Sequence, residues 1–205
     1  GCGDKGRKDS LDEFGTSEDP KTLYGIEKYA GERVALRMGE LLKKRVINVR
    51  VSAIIGRWEY DTGVRDTLSE PMQATLLALK GETALIDRKE ERDWTYSRDV
   101  ARALYKLANH ENVNSSLYNI SSGRTWSVFD WCAVLKMSYP DFNYRLCEFG
   151  EVSNIDLFGT RDRIKMSPDR FLCDIGYTLS ADLNEIFEDF KIWLTGSNGF
   201  WNLEP

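Results

Sequence analysis

A stretch with helical periodicity runs directly into a stretch with strand periodicity, and that junction limits what the chain can fold into. Apolar residues recur at Leu23, Ile26, Ala30, Val34, Met38, Leu41 and Leu42 with charges on the opposite face, which predicts a helix of about six turns. Asp19 and Pro20 precede it as a candidate cap and first turn. From Val46 to Ile55 the period changes to two. Ile47, Val49, Val51, Ala53 and Ile55 point one way, Asn48, Arg50 and Ser52 the other, which predicts one covered parallel strand. Helix followed by buried strand is the unit of an α/β fold.

Tyr24 and Lys28 stand four residues apart at the start of that helix, so phenol and ammonium share a face. A cation beside a phenol favours the phenolate, and a tyrosine so placed serves as general acid or base towards an alcohol. The same spacing also arises on ordinary surface helices carrying a solvated lysine.

The segments LYGIEKYAGE at 23–32, VRVSAIIG at 49–56, RDWTYSRDVARAL at 92–104 and LYNISSG at 117–123 together resemble the extended short-chain dehydrogenase/reductases. These are NAD-dependent epimerases, dehydratases and reductases of sugars and nucleotide sugars. The resemblance implies the C-terminal part of a Rossmann-like doubly wound parallel sheet plus a small α/β substrate domain. Residues 1–56 would belong to the Rossmann-like part and 57–205 mostly to the substrate domain, with 83–123 partly returning to the sheet. It implies Tyr24 and Lys28 as the catalytic pair, with Lys28 also bonding the nicotinamide ribose and the backbone near Ser52 lying against the nicotinamide of NAD or NADP. A homodimer through the 20–44 helix is implied as well.

The family's glycine-rich turn, which holds the cofactor pyrophosphate on a helix N-terminus, has no counterpart in these residues, and neither has its catalytic Ser or Thr. The expectation is a truncated piece of an enzyme, inactive alone. Many nucleotide-sugar members also carry an asparagine where this strand has Ala53. Oxidation of a free sugar, sugar acid or related alcohol therefore stands beside the nucleotide-sugar reading. A non-catalytic substrate-binding or dimerisation module is the alternative from another class.

Residues 56–71 form a long polar and aromatic loop of a kind that is uncommon unless functional. Arg57, Trp58 and Arg65 are candidates to close over substrate; Trp58 as a core plug is the competing reading. The arginine matching Arg92 reaches the pyrophosphate or ribose of a nucleotide sugar in the family, a task suited to a planar guanidinium. A salt bridge to a neighbouring acid is its alternative. Arg161 and Arg163 are candidates for a second anion contact or for a solvated loop.

Further elements follow from pattern: helices at 72–79, 98–108 (capped by Ser97), 127–135 (capped by Ser127), a short one after Pro168 stopped by Gly176, and a last one carrying Leu183, Ile186, Phe187, Phe190 and Leu194. Strands are expected at 83–87, 117–120 and 144–149. Trp126, Phe129 and Trp131 read as core.

A net charge of −5 with mixed signs gives no basic patch for nucleic acid. Cys2, Cys132, Cys147, Cys173 and the lone His110 lack metal-ligand spacing. No apolar run approaches the roughly 20 residues that span a bilayer. The expectation is a cytoplasmic protein with reduced thiols and no metal.

Overall fold

The computed structural model describes residues 10–15, 19–63, 67–157 and 162–196. Among them the chain runs α1 (Leu23–Leu42), β1 (Asn48–Val51), β2 (Ala53–Ile55), α2 (Glu70–Lys80), β3 (Thr83–Ile86), β4 (Arg92–Tyr96), α3 (Ser97–Ala108), β5 (Leu117–Ile120), β6 (Thr125–Trp126), α4 (Val128–Ser138), β7 (Asn143–Leu146), α5 (Asp169–Ile175) and α6 (Leu183–Gly196). The architecture is α/β with parallel strand pairs.

The predicted strand at 46–55 is two strands with different partners. β1 pairs parallel with β5, Asn48 opposite Leu117 and Val51 opposite Ile120. After Ser52 the chain leaves that sheet, and β2 pairs parallel with β4, which in turn pairs antiparallel with β6. The alternation survives the break. Ile47, Val49 and Val51 pack on a core of Val100, Ala103, Leu107, Tyr118, Ile120, Phe171 and Leu179. On the other face Asn48 and Arg50 bond Glu32 of α1.

That polar face explains why α1 keeps its apolar row outside. Leu23, Val34 and Leu42 are 87, 61 and 62% exposed, and Gly25 and Gly39 are its buried residues. Its cap is Thr22, whose Oγ1 accepts from Gly25 N–H at 3.0 Å, rather than Asp19. A hydroxyl three residues ahead reaches that amide directly, which leaves Pro20 outside the helix.

The larger core lies between β2–β4–β6 and helices α2, α4 and α6. Trp131 stacks on Trp126 with centroids 5.8 Å apart and meets Phe187 edge-on at 5.7 Å. Its indole N–H donates to Thr75 Oγ1 at 3.0 Å, so the polar end of the ring is satisfied inside. Trp126 is buried in the same core, while Phe129 is partly buried against it. α2 begins at Glu70 under a Ser69 cap, two residues earlier than its pattern suggests, with Pro71 in its first turn. Ser97 does not cap α3: Tyr96 holds the cap position, and the Ser97 hydroxyl donates to Arg57 O at 3.4 Å. β7 covers Asn143–Leu146 beside β3 and is shorter than expected. No helix among the described residues is long and apolar enough to cross a membrane.

Candidate functional site

The carboxyl ends of β1 and β5 lie side by side, the place where open α/β sheets bind ligands. Ser52 sits there. Its N–H donates to Ile120 O at 3.2 Å, which keeps it in register as the chain changes sheets. Its hydroxyl hydrogen-bonds that of Thr95. Beneath them Asp93, 4% exposed, accepts from Ser121 Oγ at 2.7 Å and from Met166 N–H at 2.8 Å. Burial pushes the Asp93 carboxyl above the usual carboxylate range, opposed by these two donors. Sequence reasoning missed this polar layer because β4 looked like a lead-in to a helix. Every residue of Arg92–Tyr96 is buried, and a five-residue buried run with two aromatics was the available signal.

Tyr24 and Lys28 share a face of α1, as their spacing requires. The Lys28 Nζ lies 5.2 Å from the Tyr24 ring centroid, over the ring, and 3.8 Å from Glu27. Tyr24 is 66% exposed. Phenol and ammonium are thus adjacent and open to a ligand. α1 is held to the strand end by Glu32 and Arg50, whose carboxylate and guanidinium make two contacts of 2.8 Å. Tyr24 and Lys28 thus lie on one exposed face of α1, and Ser52 follows the strand that the helix packs on.

Arg57 ends the strand on the other side. Its guanidinium lies 2.8 Å from the Asp189 carboxylate of α6 and also donates to Asp189 O at 3.0 Å and Tyr96 Oη at 3.3 Å. The Tyr96 hydroxyl donates to Asp189 at 2.6 Å, and Arg98 pairs with the same carboxylate. Desolvation pushes the Asp189 carboxyl up, but the Tyr96 hydroxyl and the two guanidiniums outweigh it and hold the group below its usual value. Burial and the Asp189 bond push the Tyr96 phenol well above its ordinary range. Trp58, with φ of 70°, is 65% exposed and meets Trp193 edge-on at 5.8 Å. Arg65 and Arg161 lie outside the described residues.

Arg92 is 5% exposed. Its guanidinium lies 3.0 Å from Glu70 and 2.6 Å from Glu90, with the Trp94 ring centroid 5.2 Å from Cζ. Across the same segment, Arg163 lines an open groove of about 600 Å³ with Arg124, Lys165, Glu91 and Asp162. No group of three metal-ligating side chains occurs among the described residues.

Several solved structures resemble this fold. The UDP-glucose 4-epimerase of Thermotoga maritima, solved with UDP-glucose, superposes with a TM-score of 0.73 at 20% identity over 95% of this chain and 60% of its own. The UDP-glucuronic acid 4-epimerase of Bacillus cereus, solved with UDP-glucuronic acid and NAD, gives 0.71 at 15% identity over 94% and 58%. The dTDP-glucose 4,6-dehydratase of Bacillus anthracis, with NAD, gives 0.69 at 17% over 97% and 59%. The chain thus spans little more than half the length of these structures. No curated protein matches the sequence. The model of the NAD dependent epimerase/dehydratase family matches residues 2–121, a span that includes Tyr24, Lys28 and Ser52. The chain belongs to the NAD dependent epimerase/dehydratase family.

Proposed function

We propose that the protein is an NAD(P)-dependent oxidoreductase of the epimerase/dehydratase kind, acting on a hydroxyl of a sugar or related alcohol with Tyr24 as acid and base. The observation that carries this reading is the Lys28 ammonium 5.2 Å from the Tyr24 ring centroid, on an open helix face inside the span that matches the family. A bound nicotinamide cofactor supplies the hydride acceptor. Tyr24 as phenolate takes the proton of the substrate hydroxyl while the carbon-bound hydrogen departs with its electron pair, leaving a carbonyl; the reverse step returns both. Lys28 offsets the phenolate charge and would hold the ribose hydroxyls of a bound cofactor. Ser52, held in register by Ile120, would lie with its backbone against the nicotinamide.

The pyrophosphate cradle is not among the residues that we assign to this role. In this reading the chain supplies the proton-transfer and substrate parts of such a site in a cytoplasmic protein. Titrating the chain and the natural protein that contains it with reduced cofactor, following nicotinamide fluorescence, tests this. Saturable binding by the natural protein but not by the isolated chain is expected. Absence of binding by both contradicts it.

The exposed row of α1 favours a second role that is compatible with the first: pairing with α1 of a second copy to form a homodimer. If cofactor binding fails everywhere, that row leaves a non-catalytic dimerisation module as the reading.

A further inference from the structure

We propose that the open groove between the turn after β5 and the segment 162–165 binds the phosphoryl group of a hydroxylated phosphate monoester, a sugar phosphate in its simplest form. That this ligand is the substrate rests on the function proposed above; that the groove takes an anion does not.

The groove holds about 600 Å³ and opens to solvent, so a ligand of sugar-phosphate size enters without displacing a buried side chain. Its place is the one where parallel α/β sheets bind ligands, because Gly123 and Arg124 follow the carboxyl end of β5. It also adjoins the polar layer beneath Ser52. Met166, next to Lys165, donates its N–H to Asp93 at 2.8 Å, and Thr125 of the lining pairs opposite Asp93.

Arg124 and Lys165 supply the charge. Arg124 is exposed and Lys165 half-buried, and among the described residues neither side chain makes an ion pair or a hydrogen bond. The acids nearby do not neutralise them. Asp162 accepts from the Arg88 guanidinium at 3.2 Å and from Glu91 N–H at 3.0 Å. Glu91 forms an ion pair with neither cation. Asp93 feels the Lys165 charge, but its bonds come from Ser121 and Met166. A guanidinium and an ammonium lining one space match a phosphate monoester, whose charge is about −1.5 to −2 near neutrality. The Glu91 carboxylate can only accept, so it suits the hydroxyls of the remainder and repels a second phosphoryl group. That combination selects a monoester over a diphosphate.

Backbone bonds hold both walls. Gly123 N–H donates to Ser121 Oγ at 2.8 Å and Arg124 N–H to Ser122 Oγ at 3.4 Å, which fixes the turn. Across the groove Arg163 N–H donates to Glu91 O at 3.0 Å, and Lys165 O accepts from Leu11 N–H at 2.8 Å. Only the side-chain ends need ordering when a ligand enters, which keeps the entropic cost of binding small.

Calorimetry on the 205-residue chain without cofactor tests this, with glucose 6-phosphate, inorganic phosphate, pyrophosphate, UDP-glucose and glucose as probes. Glucose 6-phosphate should bind saturably and tighter than the other three anions, and glucose should give no heat. Lowering the pH through about 6, where the phosphate loses its second charge, should weaken binding. Arg124→Gln and Lys165→Gln should each weaken it about tenfold, the size of one lost charge-assisted hydrogen bond, with circular dichroism unchanged. Glu91→Gln should narrow the preference over pyrophosphate. No binding of glucose 6-phosphate by the wild type overturns the proposal, and so does unchanged affinity in both folded cation variants. Tighter binding of UDP-glucose or pyrophosphate overturns the choice of a monoester. The Tyr24 chemistry is read from hydride transfer in the natural protein, so the two readings fail separately: binding without hydride transfer keeps the groove and removes only its ligand's standing as substrate.

Discussion

Glu32 of α1 and Arg50 of β1 face each other as a two-pronged ion pair, both contacts 2.8 Å, with side chains only 12 and 15% exposed. The pair joins the helix that carries Tyr24 and Lys28 to the strand that ends at Ser52.

Because water is largely excluded from that pair, removing one member takes from the other its charged contacts across the helix–strand joint. Glu32→Gln or Arg50→Gln should each cost about 1–3 kcal/mol of stability, and the double change should cost less than the two singles added. Chemical denaturation of the three variants measures this; strict additivity would mean that the pair does not couple helix to strand.

Asp189 gives a pH signature. Its carboxyl is held below the 3.8 of an unperturbed aspartate, so its stabilising contribution is complete above the unfolded value and is lost as pH falls through the lower folded value. Asp189→Asn should therefore be less stable than the wild type by about 1–3 kcal/mol near neutrality. The gap should close at acid pH, which thermal melts across the acid range will follow.

Gly56 has φ of 118°, and a Cβ there would lie 2.6 Å from Cδ2 of the Tyr96 ring and 2.9 Å from Ser97 Oγ. Gly56→Ala combines backbone strain with a clash against buried atoms and should cost about 2–4 kcal/mol. Gly63→Ala, at φ of 68° with nothing within 4 Å, meets milder backbone strain and no clash and should cost less. Comparing their melting temperatures checks this order.

Val34 and Met38 are 61 and 46% exposed on the apolar row of α1. Val34→Asp/Met38→Glu should leave the monomer fold intact and abolish the homodimer that we propose. Light scattering reads the mass, and circular dichroism checks the fold.

Periodicity exposed α6, which buries Ile186, Phe187, Phe190 and Trp193, and equally α1, whose repeating apolar row faces outward. The break at Ser52 could not be read, because Ala53 and Ile55 continue the alternation while changing partner from β5 to β4. β4 was missed for the opposite reason: Arg92–Tyr96 is buried throughout, and its charged residues are satisfied by partners distant in sequence, Arg92 by Glu70 and Asp93 by Ser121. The Tyr24–Lys28 spacing was legible because both lie on one helix. The bonds of Arg57 to Asp189, 132 residues away, depend on tertiary packing that no local pattern encodes.

In the reading proposed above, Tyr24 moves the proton. The most direct test of this is single-turnover nicotinamide reduction in the natural protein that contains these residues, comparing wild type with Tyr24→Phe. The phenyl ring keeps the packing over Lys28 but lacks the hydroxyl. A rate lower by about 10²–10⁴-fold is expected, with cofactor affinity little changed. An unchanged rate in the folded variant would contradict it and place the acid and base elsewhere.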